Sequence, residues 1–391
     1  MLYYNGYIFQ PEGFVYGGFR VENGRFAKIL PGAASGKDFH PYAAKIPPGK
    51  EIDPAGIDLG GAMVLPGLVD IHVHGAVGAD FSDGDAGGLR RMGEYLASCG
   101  TTSFAPTSMT LPCEKLAEVF QTAETLRRNR PARCARIPGI HMEGPFLSKK
   151  KKGAQNSAWL REPDFSVWKR LHRGCGNAIR IVDLAPELPG AAAFARQAAP
   201  HCTVSAAHTD AAYEEAAAFF DAGASHLTHL FNAMPPLLHR APGPIGAAAE
   251  REHVTTELIC DGLHIHPSAV RTAFQLFPGR ICLISDAVRC CGMPDGEYEL
   301  GGQTITLRGR AARLPDGTLA GSAADLFQCV KNAIAFGIPA EEAIRAATIL
   351  PARVIGAEAE IGSIEPGKRA DFIVCDNYLE RRKIWLDGVE L

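Results

Sequence analysis

The chain has 391 residues, 46% of them hydrophobic and 21% charged, with a formal net charge of -3 and a pI near 6.5. That length exceeds a single ordinary core unless the chain closes into a barrel, or divides into a large and a small domain. The charge balance offers no basic face to a nucleic-acid partner. The opening MLYYNGYIFQPEG lacks a basic region followed by an apolar core of about 7–15 residues, and no run of about 18 apolar residues occurs, so neither secretion nor a membrane span is expected and a cytoplasmic location is. Eleven cysteines with no C-x-x-C pair, among them Cys202, Cys260, Cys282 and Cys329 in apparent core elements, read as reduced, buried thiols. The adjacent Cys290 and Cys291 point apart on any strand or turn, which disfavours a redox or metal pair.

In chain order, Met1 to Phe9, Gly17 to Val21 and Phe26 to Leu30 are short strand-like runs separated by turn signals such as Asn23-Gly24. Pro41, Pro47, Pro48 and Pro54 then break any periodic pattern. From Met63 apolar strands alternate with amphipathic helices. The predicted strands are Met63 to Ile71, Thr101 to Ala105, Ile137 to His141, Ile179 to Leu184, Thr203 to Ala206, His226 to His229, Thr255 to Cys260 and Ile281 to Ile284. Between them lie helices such as Cys113 to Arg128, where Leu116, Val119, Phe120, Ala123 and Leu126 share one face, then Ala211 to Ala222, Pro267 to Phe277, Ala324 to Phe336 and Ala340 to Ala347. Eight such strands predict a closed parallel (β/α)8 TIM-type barrel over 63–355. An open doubly wound sheet is the competing fold, but no G-x-G-x-x-G turn follows any strand. Strand character returns at Ile364 and Asp371 to Cys375, so 356–391 is expected to pair with 1–62 in a small β-sandwich domain.

A barrel gathers its chemistry at the C-terminal ends of its strands. His72 and His74, one residue apart on a strand, project from the same face and suit a divalent metal. Glu143 follows the third strand, His208 the fifth, His229 the sixth and Asp286 the eighth. Singly, each also fits a satisfied core histidine or a stray carboxylate. Together, at successive strand ends, they supply ligands for one or two divalent metals of the zinc or iron type.

The stretches Pro66 to Gly75, His141 to Phe146, Ser205 to Ala211, Thr228 to Met234, Asp261 to His264, Leu319 to Ser322 and the tail Gly362 to Phe372 resemble those of the N-acetylglucosamine-6-phosphate deacetylases of the amidohydrolase superfamily. The first stretch marks only the superfamily, whereas those around Glu143, Asn232 and His264 mark the deacetylase branch. The resemblance implies that Glu143, His208 and His229 hold a catalytic metal, that His72 and His74 complete a second site, and that Asp286 is the acid/base, with ligation as a second role. It further implies that Arg240 and His264 meet a phosphate, that the backbone at Asn232 and Ala233 donates to it, and that Ala154, Gln155, Asp261, Leu319, Ala320 and Gly321 contribute to the substrate pocket. A homodimer whose loops approach the neighbouring site is implied as well.

Two departures matter. Gln155 stands where many of these enzymes carry histidine, and the segment Leu237 to Gly243 is bulkier around Arg240 than the pattern. The run Lys149 to Lys152 lies near the expected mouth, where steering of an anionic substrate competes with an ordinary solvated face. Three functions compete: hydrolysis of N-acetylglucosamine 6-phosphate; the same chemistry on N-acetylgalactosamine 6-phosphate or an unphosphorylated cyclic amide; and a non-catalytic binding barrel. A cyclic-amide hydrolase would place a bridging lysine after the fourth strand, where Leu184-Ala185-Pro186-Glu187 has none. A non-catalytic barrel should have lost ligands, and this chain keeps the whole set.

Overall fold

The computed structural model describes residues 1–32 and 56–391; Pro41, Pro47, Pro48 and Pro54 lie outside them. Eight parallel strands, Leu68–Val73, Thr101–Ser108, Ile140–Phe146, Ile179–Leu184, Thr203–Ala206, His226–Leu227, Thr255–Ile259 and Ile281–Ile284, pair in sequence order. The first and eighth strands meet through a parallel bridge between Val73 and Ala287 and through Asp286 N–H donating to His72 O at 3.0 Å. Buried Asp70 fastens this seam by accepting the Ser285 hydroxyl at 2.5 Å. Strands covered on both faces read as near-continuous apolar runs, as Ile281–Ile284 does with all four side chains buried. The helix Cys113–Arg128 buries Leu116, Val119, Phe120 and Ala123, the face its spacing predicted.

The expected single strand from Met63 to Ile71 is two. Met63–Pro66 belongs to an outer sheet, pairing with Leu2–Gln10 and with Phe372–Cys375, and the barrel begins at Leu68. Gly67 makes the crossing possible, because a Cβ there would sit 2.1 Å from Thr102 Oγ1. The outer sheet has eight strands and joins both ends of the chain. Its side chains form a core of their own, with the ring centroids of Phe19 and Phe372 5.0 Å apart and Phe372 stacked on Trp385 at 4.6 Å. Ile364 is buried in that core but is not itself in a strand. Cys290 and Cys291 enter different hydrophobic clusters, as adjacent residues pointing apart must. All eleven cysteines are free, and every one except the half-buried Cys202 is buried. Among the described residues no helix is long and apolar enough to cross a membrane.

Two sheets escaped the sequence reading: a small pair, Gly75–Ala76 with Ala79–Asp80, and an antiparallel sheet of four strands, Gly296–Leu300, Gln303–Arg308, Ala311–Arg313 and Leu319–Ser322. The signal of the four-stranded sheet was available in the Gly301-Gly302 pair between two alternating runs. This sheet stands beside the C-terminal mouth of the barrel, with Ser322 N–H donating to Asp286 O at 2.8 Å.

Candidate active site

At the C-terminal ends of the strands the six predicted groups converge. His208 and His229 bring Nε2 to 3.1 and 3.3 Å from Glu143 Oε1, and His74 Nε2 lies 3.4 Å from Glu143 Oε2. His72 Nε2 is 3.5 Å from Glu143 Oε1 and 3.3 Å from His74 Nε2. Asp286 Oδ1 closes the group, 3.6 and 3.5 Å from the same two imidazoles. Glu143 is shared by two triads, one with His72 and His74, the other with His208 and His229, and within each the ligand atoms lie within 4.8 Å of one another.

Hydrogen bonds behind the ligands decide where the imidazole protons sit. His74 Nδ1 faces Thr107 O at 3.1 Å and His208 Nδ1 faces Lys151 O at 2.8 Å, both carbonyls that can only accept. His72 Nδ1 faces the buried carboxylate of Glu257 at 2.9 Å. With Nδ1 protonated on each ring, the Nε2 lone pairs point inward with the oxygens of Glu143 and Asp286. Such a cage is all acceptors, which is what a divalent cation would satisfy; the donor set therefore fits one or two divalent metals, with Glu143 common to both triads. The same excess of acceptors appears in the proton affinities. Burial alone would lower the pKa of His74 and His229, but Glu143, with help from Asp286, reverses it and pushes each up to about 9. Burial would raise Glu143; the surrounding imidazoles, His208 first, hold it well below the usual carboxylate range.

All six groups except the fully buried His72 line a cavity of about 540 Å³. Asn232, Ala233, His264, Ala154, Gln155, Leu319, Ala320 and Gly321 line it too, as do three cations, Lys150, Lys151 and Arg313. Lys150 is ion-paired with Asp210 at 2.9 Å, which ties down part of the lysine run. Gln155 is buried with both ends of its amide occupied: Nε2 donates to Glu143 Oε2 at 2.5 Å, and Oε1 accepts from Thr110 N at 2.7 Å. Asp261 stands behind the wall, accepting from His264 Nδ1 at 2.8 Å and so aiming that ring. Arg240 is not brought to the cavity of its own chain; it is exposed on the loop bridged between Leu238 and Ala241. Sequence reasoning missed Arg313, which came with the unread sheet. It also missed Glu257, a carboxylate inside the buried barrel strand Thr255–Ile259.

A model of the Amidohydrolase family matches residues 63–389. The chain is 38% identical to N-acetylglucosamine-6-phosphate deacetylase of Bacillus subtilis over 82% of each chain. It is 35% identical to N-acetylgalactosamine-6-phosphate deacetylase of Escherichia coli O157:H7, over 83% of this chain and 87% of that one. Among solved structures, a mutant N-acetyl-D-glucosamine-6-phosphate deacetylase from Mycobacterium smegmatis, in complex with N-acetyl-D-glucosamine-6-phosphate, superposes with a TM-score of 0.90 at 31% identity, covering 100% of this chain and 98% of the other.

Proposed function

The chain belongs to the amidohydrolase family, and from that premise we propose that it hydrolyses the acetamide of N-acetylglucosamine 6-phosphate to glucosamine 6-phosphate and acetate. The observation that carries this reading is the cage of His72, His74, Glu143, His208, His229 and Asp286 facing a cavity that also holds cationic groups. These six residues would hold a divalent metal, zinc or iron, which would supply Lewis-acid polarisation of the acetamide carbonyl and a water acidified towards neutrality. Asp286 accepts the proton from the attacking water and returns it to the sugar nitrogen, since an amine leaves only once protonated. His264, aimed by Asp261, and the backbone at Asn232 and Ala233 receive the phosphate, whose oxygens need donors and positive charge. Leu319, Ala320 and Gly321 shape the pocket for the sugar and its acetyl group. Gln155, with Ala154, ties the segment after the third barrel strand down over the proposed ligands, its amide clamping Glu143.

The enzyme acts in the cytoplasm, in keeping with its free, buried thiols. It works as a homodimer, for which the exposed Leu237, Leu238 and Leu263 offer apolar surface; Arg240, on the same loop as two of them, then serves the neighbouring site. The same 35% relative favours a second reading, the C4 epimer N-acetylgalactosamine 6-phosphate as substrate. Acetate release measured with both epimeric phosphates and with unphosphorylated N-acetylglucosamine separates the readings. The gluco phosphate is expected to give the highest kcat/KM; equal turnover of the unphosphorylated sugar would overturn the proposed substrate.

A further inference from the structure

A second cleft, of about 470 Å³, opens on the other end of the barrel between the helix Phe165–Gly174 and the segment Pro200–His201 that precedes the fifth barrel strand. Arg180 enters it from the start of the fourth barrel strand and His201 from just before the fifth, so both stand at strand N-termini, opposite the metal ligands. Its charged lining is wholly basic: Lys169, Arg173 and Arg180, with the imidazoles of His172 and His201, and no carboxylate. Among the described residues none of the three cations has an ion-pair partner; Lys169 only caps the Phe165 ring at 5.9 Å.

Three buried nitrogens in this wall lack any hydrogen-bond partner: Trp168 Nε1, His172 Nδ1 and Arg180 Nε. Trp168 is 1% exposed and His172 8%, and their rings are stacked at 4.6 Å, so neither turns easily towards solvent. Trp168 Nε1 and Arg180 Nε can only donate; buried donors without acceptors are rare because they have given up water for nothing, and two at one cleft call for an acceptor-rich ligand. Arg180 is held in place by packing, since its stem fills the space above Gly139, where a Cβ would lie 2.0 Å from Arg180 Cγ. The positive field is felt within the cleft: burial first, then His201 and Arg180, depress the pKa of His172 to about 4.

We propose that this cleft binds the phosphate of a small molecule, at a site separate from the deacetylation centre. Arg180 and Arg173 meet the phosphate oxygens, as forked guanidinium groups do, and Trp168 Nε1 donates to them. The cleft exceeds the volume of one phosphate and so leaves room for the organic group that carries it.

The test is calorimetric titration of the full-length chain with inorganic phosphate and, separately, with glucose 6-phosphate, which has no acetamide to hydrolyse. Arg180→Gln and the more exposed Arg173→Gln are each expected to weaken binding at this site roughly tenfold or more, while kcat/KM for deacetylation stays within twofold of the parent. Arg180→Lys, which keeps the charge but loses the fork, should fall between, and added salt should weaken the parent's binding more than that of the Arg180→Gln variant, which has one cation fewer. Tighter binding of glucose 6-phosphate than of phosphate identifies an organic phosphate as the ligand; equal binding identifies the free ion. If both Gln variants bind both probes as the parent does, all binding belongs to the deacetylation centre and the second site does not exist.

Discussion

Glu257 stands behind the proposed ligands, grouped with His72 and His141 rather than with Glu143. Its carboxylate is fully buried, accepts from His72 Nδ1 at 2.9 Å and from His229 N at 3.2 Å, and lies 3.3 Å from His226 Nε2. Burial would raise its pKa, but the imidazoles, His72 first, hold it well below the usual range, so it stays ionised. Alanine at this position would strand buried donors at a cost of about 3–5 kcal/mol, which tests stability rather than function. Glu257→Gln keeps the shape and one acceptor oxygen but loses the charge. Turning a charge-assisted bond worth about 1.5–3 kcal/mol into a neutral one of about 0.5–1.5 kcal/mol removes roughly 1–1.5 kcal/mol, near a tenfold effect. Loss of such partners of metal-bound histidines typically weakens affinity by about 10- to 100-fold. The expected result is therefore a metal affinity down by roughly tenfold or more in chelator competition, with thermal stability of the metal-free chain nearly kept. His208→Ala is the comparator, since it deletes a ligand and should strip the metal that ligand holds. Affinity within about twofold of the parent in Glu257→Gln would show that His72 needs no carboxylate behind it, and the reasoning would fail.

Asp286→Asn should lower kcat by roughly 10²–10⁴-fold while metal content by emission spectroscopy and substrate KM persist, because the amide cannot carry the proton; a loss below about tenfold removes Asp286 from that role. Arg240→Ala should lower kcat/KM for the phosphorylated sugar by roughly 10- to 100-fold and leave the unphosphorylated sugar nearly unchanged. If Arg313→Ala gives that pattern instead, the phosphate is held by the wall of its own subunit. His172 gives a stability signature: its folded pKa of about 4 lies below that of a free histidine, near 6.5. The folded state then binds fewer protons, so this contribution is complete above pH about 6.5 and is lost as pH falls towards about 4. Melting temperatures of His172→Asn should consequently drop less than those of the parent between pH 7 and pH 5, and equal drops would refute the assignment.

Much of the barrel could be read because its strands are apolar on both faces and its helices on one; Cys113–Arg128 and Ile281–Ile284 end where their patterns end. Such continuous apolar runs hide a change of partner, however. Met63 to Ile71 offers no break in hydrophobicity where it passes from the outer sheet to the barrel, and only Gly67 marks the crossing. The histidine pair was visible from its period of two, but a supporting carboxylate such as Glu257 has no spacing rule relative to His72, because they lie on different strands. Burial likewise conceals Asp261, which sequence places among the substrate contacts and which in the fold serves His264 from behind.

The deepest part of the site lies in the backbone. His208, His229 and Asp286 have φ of 42°, 30° and 47°, and Phe231 and Ala233, beside His229, have 76° and 51°. Side chains other than glycine rarely adopt such angles, which cost about 1–3 kcal/mol each and persist only where the surroundings over-determine them. The surroundings here are hydrogen bonds at the strand ends. Ser148 N–H holds His208 O at 2.9 Å, while Asp286 N–H is held by His72 O at 3.0 Å and its own carbonyl by Ser322 N–H at 2.8 Å. Each of these bonds crosses between segments, so the first strand, the segment at Ser148 and the sheet ending at Ser322 jointly hold His208 and Asp286 in turns that leave the strand direction. Composition and periodicity count side chains and therefore place a histidine at a strand end. They do not register the left-handed turn that aims it, because that turn is imposed by partners far away in the chain.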